Sequence, residues 1–325
     1  MITACGSGGA APGEPPEGRG LFTWEASGGE LGIWHVLGEG ARRLMTARPG
    51  YILVALSLYV VSVVIVGARW RGFVRSLGGE VAVWRASLAT LGGIAVNNLF
   101  PSGRLGGEAC RIALVRQHGV VTWRQATVSA VWDRLSQIPA IAILVVLAVL
   151  AIKDLASNWR QLAALGGVFL ALIAAGIVIR RLRRSERVAG AWREHLAFSR
   201  ANLRVFAVAV GLSGLVFLQD VLRISCAALA FGVSLPPTRV AVLSIVALLG
   251  GLAPSIGGLG PVEGGLVAGL VAFGVDVPTA AAITAAERLI SYGFSTSAGS
   301  AVVALLGGKR LWKTIRQAAW SADPL

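Results

Sequence analysis

Eighteen consecutive residues, Tyr51 to Ala68, carry no charge, and Arg69, Arg71 and Arg75 follow at once. A run of this length reads as a membrane-crossing helix, because at about 1.5 Å rise per residue it nearly matches a hydrocarbon core of about 30 Å. Comparable runs lie at 135–152, where the helix is predicted to begin near Thr122, at 161–179, at 204–231 and at 279–307. The run at 204–231 is interrupted by Gln219, Asp220 and Arg223. The composition agrees: of 325 residues 55% are hydrophobic and 14% charged, where a soluble domain carries about 25% charged residues. The predicted fold class is all-α, a polytopic integral membrane protein.

Two more apolar stretches are broken in the middle. Residues 82–117 are interrupted at Asn97, Asn98, Pro101, Gly103, Gly106 and Gly107, and residues 239–274 at Gly250, Gly251, Pro254, Gly257, Gly258, Gly260 and Pro261. The arms flanking the second break, about 14 residues each, reach about 21 Å, past the midplane but not across. Each stretch is predicted to be a re-entrant helical hairpin. The alternative is a pair of tilted spans joined by a loop. Broken backbone at that depth must be buried in protein or line a wet cavity.

Charge orients these elements. Lys and Arg number 30 against 16 Asp and Glu, a net charge of +14. Basic residues concentrate between Arg180 and Arg200 and in the C-terminal tail, which the positive-inside rule places in the cytoplasm. The first hairpin then enters from the cytoplasm and the second from outside. The predicted organisation is a polar and amphipathic segment at 1–49, a first membrane repeat at 50–153, and a linking span with its basic loop at 154–203. A second repeat at 204–308, inverted relative to the first, and a basic tail at 309–325 complete it. Within the first segment, residues 1–20 have a disordered composition, and Leu31, Trp34, Leu37, Leu44 and Met45 fit either an interfacial helix or a poorly ordered lead-in. Arg42, Arg43 and Arg48 would lie outside, against the charge rule, unless a further span preceded them.

The two halves share a residue pattern. Pro101-Ser-Gly103-Arg104-Leu-Gly106-Gly107-Glu108 is followed by Asp133-Arg134, and Pro254-Ser-Ile-Gly257-Gly258-Leu-Gly260-Pro261-Val-Glu263 by Glu287-Arg288. Glutamate and arginine are 26 residues apart in the first half and 25 in the second. Inverted repeats with paired broken helices are a transporter signature, with the substrate held near the midplane.

These stretches, with Asn97-Asn98-Leu-Phe before Pro101 and Ala-Cys110-Arg111 after Glu108, resemble the lysylphosphatidylglycerol synthase transmembrane-region family. Its members are also called flippase-like membrane proteins, and the resemblance covers roughly residues 50–307. Family members usually begin with an additional transmembrane helix. Those of the multiple-peptide-resistance type carry a soluble aminoacyl-transferase domain, whereas this chain runs only about 17 residues past its last predicted span. The resemblance therefore implies lipid translocation in a bacterial or archaeal cell membrane, with no support for aminoacyl transfer.

Several residues could serve that task. Arg104 and Arg111 can hold a phosphate through paired N–H donors, beside the positive N-terminal end of the helix starting near Leu105. Gly103, Gly106 and Gly107 allow close approach of a head group, as do Gly257, Gly258 and Gly260 in the second hairpin, with Asn97 and Asn98 alongside. Glu108 and Glu263 each sit early in a helix, where they are either dipole partners or functional groups. Asp133, Arg134, Glu287 and Arg288 are assigned to charge bracing or gating, because adjacent helical residues point about 100° apart and each needs a partner from another element. Asp133 is expected to meet Arg104 or Arg111, and Arg288 to meet Glu263 or Glu108. Asp220 and Arg223, three residues apart, are expected to form a same-face pair.

Other chemistries lack their residues. Cys5, Cys110 and Cys226 are widely spaced, and His35, His118 and His195 are scattered. Neither set forms a metal pattern or a disulfide framework, so no cofactor is expected. No G-x-x-x-x-G-K-[ST] loop is present to drive transport with ATP, and no recognition module for nucleic acid accompanies the basic loop. The expected partners are membrane lipids and a lipid-modifying transferase. The rival readings are an intramembrane enzyme or a membrane subunit of a lipid- or glycolipid-modifying system.

Overall fold

The computed structural model describes residues 39–40, 42–100, 105–151, 202–251 and 258–307. The linking span at 161–179, the loop from Arg180 to Arg200, Arg104, Gly103 and Gly257 lie outside the described residues. The described residues are helical, without strands, apart from one isolated antiparallel bridge between Glu80 and Val120.

Among the described residues the helices include, in order, α1 (Pro49–Ser76), α2 (Val83–Leu99), α3 (Leu105–His118), α4 (Trp123–Leu135), α5 (Gln137–Ala151), α6 (Leu203–Ala230), α7 (Pro237–Gly250), α8 (Pro261–Ala272) and α9 (Val277–Gly307). Three of them, α1, α6 and α9, are long and apolar enough to cross a membrane. α1 continues well past Ala68, so Arg69, Arg71 and Arg75 lie within the helix and not after it. Leu53, Val60, Val61 and Val64 of α1 and Val208, Leu215, Leu218 and Leu222 of α6 are exposed. Such continuous outward apolar surface has no place in water and suits lipid.

Residues 122–151 form two helices where one was expected. Thr122 caps α4 by accepting from the Gln125 N–H, while the Gln125 side chain accepts from the Thr122 N–H, which satisfies two otherwise orphaned donors. The helix then breaks at Ser136. Pro139 supplies no N–H for the Leu135 carbonyl, and its ring clashes with that carbonyl. The Ser136 hydroxyl donates instead to the Asp133 carbonyl at 2.8 Å.

The broken stretches are antiparallel helical hairpins. In the first, a Cβ placed on Gly93 would fall 2.7 Å from the Gly107 carbonyl oxygen, and one on Gly107 would fall 2.2 Å from that of Gly93. The helices therefore touch backbone to backbone at this crossing. The Glu80–Val120 bridge ties the open ends together, with N–H to carbonyl distances of 3.0 Å in both directions. In the second hairpin, Gly265 packs under Val246 and Gly269 under Leu243. Gly258 and Gly260 turn the chain into α8 with φ of +78° and +89°, a region that favours glycine.

Each half buries its own apolar cluster. Trp70, Val74, Ala89, Leu114 and Val115 form one, and Ile224, Leu243, Leu266, Leu270 and Ile283 the other. α1 and α6 pack along each other, and α2 packs on α9. Tyr59, Leu91 and Ile290 fill the seam between the halves.

Candidate functional site

Ten charged side chains gather where the hairpins meet α1, α4, α6 and α9. In the first half, Arg69 of α1 donates through Nε to Asp133 Oδ1 at 2.7 Å and through Nη1 to Ser213 of α6 at 2.9 Å. Arg111 of α3 donates through Nη1 to the other Asp133 oxygen at 2.9 Å. All three are buried, with side-chain exposures of 2%, 0% and 3% for Arg69, Asp133 and Arg111. Arg111 stacks over the Trp70 ring at 3.9 Å, and the Trp70 indole N–H donates to Ser129. Arg134 pairs with Glu108, which also lies 3.6 Å from Arg111.

The second half repeats this scheme with altered charges. Arg223 of α6 donates through Nη1 to Asp220 at 2.8 Å and through Nη2 to Glu287 of α9 at 3.0 Å. Arg288 donates through Nε to Glu263 of α8 at 2.7 Å. Glu263 Oε2 in turn accepts from the Gly260 N–H at 2.7 Å, so this residue both caps α8 and binds an arginine.

Of the partners named from sequence, Asp133 meets Arg111, Arg288 meets Glu263, and Asp220 meets Arg223. Glu108 takes Arg134. Asn97 accepts from the Gly107 N–H at 2.9 Å, which caps α3. Asn98 donates to Ser295 and Thr296 of α9 at 3.1 and 2.9 Å, and its carbonyl accepts from the Tyr292 hydroxyl. Asn98 thus joins the first hairpin to α9 across the seam. Gly106 is half-buried at the start of α3. Sequence reasoning missed Arg69, which it counted with the charges flanking a span. One signal was present: Arg69 precedes Asp133 by 64 residues, as Arg223 precedes Glu287.

A cavity of about 220 Å³ opens between the halves. Arg69, Arg111, Arg134, Glu108, Asn97 and Gly107 line it from the first half, and Ser213, Asp220 and Arg223 from the second, with Tyr59 and Gln137 between. Four arginines and two carboxylates are among these residues, and Asp133 and Glu287, bonded to Arg69, Arg111 and Arg223, bring the carboxylates to four. Arg111 uses only Nη1 for Asp133, and its Nε and Nη2 are buried without a hydrogen-bond partner among the described residues. Those two nitrogens form the side-on edge of a guanidinium, the geometry that accepts two oxygens of one phosphate or carboxylate. No group of three or more His, Cys, Asp or Glu that could hold a metal occurs among the described residues.

The chain is similar to membrane proteins of archaea. A UPF0104 membrane protein of Methanothermobacter thermautotrophicus is 28% identical over 303 residues, spanning 83% of this chain and 89% of its own length. A UPF0104 membrane protein of Methanocaldococcus jannaschii is 24% identical over 284 residues, spanning 79% and 84%. One from Pyrococcus horikoshii is 29% identical over 120 residues, spanning 36% and 35%. The family described as the lysylphosphatidylglycerol synthase TM region matches residues 31–299, which include both hairpins and every charged residue of the cavity. The chain is a membrane protein of the lysylphosphatidylglycerol synthase transmembrane-region family.

Proposed function

We propose that this protein is a lipid translocase that receives a phosphate-bearing head group in the cavity between its two hairpins. The observation that carries the reading is the side-on edge of Arg111, buried and without a hydrogen-bond partner among the described residues, on a side chain that lines the cavity beside Arg69 and Arg134. A buried cationic donor without an acceptor is costly, and a head-group phosphate would satisfy it. Arg69 and Trp70 position Arg111, while Arg134, Asn97 and Arg104 are assigned to the same head group. Gly107, which lines the cavity, keeps side-chain bulk away from the head group.

In this reading the hairpins are re-entrant and the halves are inverted repeats. Support comes from arms too short to cross a bilayer and from the matched spacings of Arg69–Asp133 and Arg223–Glu287. The basic loop and the C-terminal tail are cytoplasmic, in keeping with the positive-inside rule. The protein acts without a cofactor and performs no chemistry on the lipid, and its partners are membrane lipids and a lipid-modifying transferase.

The test is reconstitution into vesicles containing a fluorescent anionic phospholipid, with movement read by quenching of the outer leaflet. The wild type is expected to move the lipid faster than protein-free vesicles. Arg111→Gln should slow it by about tenfold or more, the equivalent of about 1.4 kcal/mol. Movement no faster than in empty vesicles would overturn the proposal. Chemical change of the lipid would favour an intramembrane enzyme instead.

A further inference from the structure

The two buried charge clusters do not balance in the same way. Arg69 and Arg111 share the single carboxylate of Asp133, a net charge of +1. Asp220 and Glu287 share the single guanidinium of Arg223, a net charge of −1. The pairs beside them, Arg134–Glu108 and Arg288–Glu263, are each neutral.

We propose that the Asp220–Arg223–Glu287 cluster is a proton site, binding one proton that enters from the cavity at Asp220. Three observations support it. First, an excess buried carboxylate is expensive and is relieved by protonation. Second, Glu287 is 4% exposed, and its Oε2 finds no hydrogen-bond partner among the described residues. That oxygen can accept or share a proton without breaking its sibling's bond to Arg223. Third, Asp220 lines the cavity and is 30% exposed, so water can deliver the proton there. The step balances simply: a hydronium ion gives its proton to one carboxylate and is left as water, the carboxylate becomes a carboxylic acid, and the cluster becomes neutral.

The other groups facing the cluster are accounted for. From α1, Tyr59 places its ring 5.5 Å from the Arg223 guanidinium, and Arg69 lines the same cavity. From α9, Arg288 is engaged by Glu263 of α8. On α7, Arg239 is directed to the Phe273 carbonyl, and the described residues of α5 carry no ionisable side chain. Arg223 is the guanidinium that Asp220 and Glu287 share.

The consequence for transport rests on the translocase reading. A proton at Asp220 and an anionic head group at Arg111 occupy one cavity, and each makes it less costly for the other to enter. The proton gradient would then drive an anionic lipid.

The proton site itself is tested without transport, by infrared titration of the purified protein in detergent. The wild type is expected to show one protonated-carboxyl band at neutral pH, and Asp220→Asn and Glu287→Gln, each leaving a neutral cluster, should each abolish it. Absence of the band from the wild type, or its persistence in both variants, would overturn the proposal. Thermal unfolding verifies that the variants fold, and Glu108→Gln, which lies outside the cluster, should retain the band. In proteoliposomes, lipid movement in the wild type should respond at least about threefold to an imposed pH gradient, and Asp220→Asn should not respond. A response to a sodium gradient alone would overturn the assignment to a proton. A band that titrates as expected in a protein that moves no lipid would overturn the translocase reading and leave the proton site standing.

Discussion

Arg69 Nε lies 2.7 Å from Asp133 Oδ1, and the two residues stand 64 positions apart. Arg223 and Glu287 meet across the same separation in the second half. In each case a long helix supplies the arginine and a later helix the carboxylate. The first carboxylate serves a second arginine, whereas the second arginine serves an additional carboxylate. The two clusters thus carry opposite excess charge.

Asp133 is the residue on which the first cluster depends most. Asp133→Ala would leave Arg69 and Arg111 buried beside each other with no counter-charge. Breaking such a buried arrangement costs about 3–5 kcal/mol. The thermal midpoint in detergent should fall accordingly, and Asp133→Asn should lie between the two. Arg134→Met, whose side chain is 47% exposed, should cost about 1 kcal/mol or less.

The crossing of α2 and α3 requires glycine. On Gly107→Ala the new methyl would fall 2.2 Å from the Gly93 carbonyl oxygen and 2.4 Å from the Asn97 side chain. The hairpin must open, at a cost of about 1–3 kcal/mol. Gly214 of α6 has nothing within 4 Å of the corresponding position among the described residues. Gly214→Ala should be neutral or stabilising by up to about 1 kcal/mol, through helix propensity. Unfolding midpoints of the two variants, measured together, separate these outcomes.

The start of α9 should respond to acid. Asp276 caps it by accepting from the Thr279 N–H at 3.2 Å and the Thr279 hydroxyl at 3.1 Å. Slight burial pushes this carboxyl up, but the two Thr279 donors and Arg43 outweigh it and hold the carboxyl below its ordinary range. A carboxyl held low in the folded state binds its proton more readily when unfolded. The cap's contribution is therefore complete above the unfolded value of about 3.9 and is lost as pH falls through the lower folded value. Asp276→Ala should cost about 1 kcal/mol near neutral pH, and the difference from wild type should shrink below about pH 4. Thermal unfolding of both proteins across that range checks it.

Legibility differed between elements for physical reasons. α1, α6 and α9 were readable because an uninterrupted apolar run has few alternatives to a membrane-crossing helix. The hairpins were readable as breaks, because Asn, Gly and Pro clusters interrupt a helix wherever it is packed. The division at Ser136 was less visible, since Pro139 sits inside an otherwise continuous apolar run. Arg69 was misread because a charge after an apolar run has the same local sequence whether it ends the helix in water or is buried in it.

The sequence by itself determined the class of protein, the broken hairpins and the acid–arginine pairs at matched spacing. These follow from local hydropathy and from residues that neighbour one another along the chain. Only the tertiary structure decided which carboxylate each arginine meets and which cluster carries the spare charge. Two of those choices, Arg69 with Asp133 and Arg223 with Glu287, depend on residues 64 positions apart coming into contact. The structure also showed that Arg111, which lines the cavity, leaves Nε and Nη2 without a hydrogen-bond partner among the described residues once Asp133 and Trp70 have engaged it.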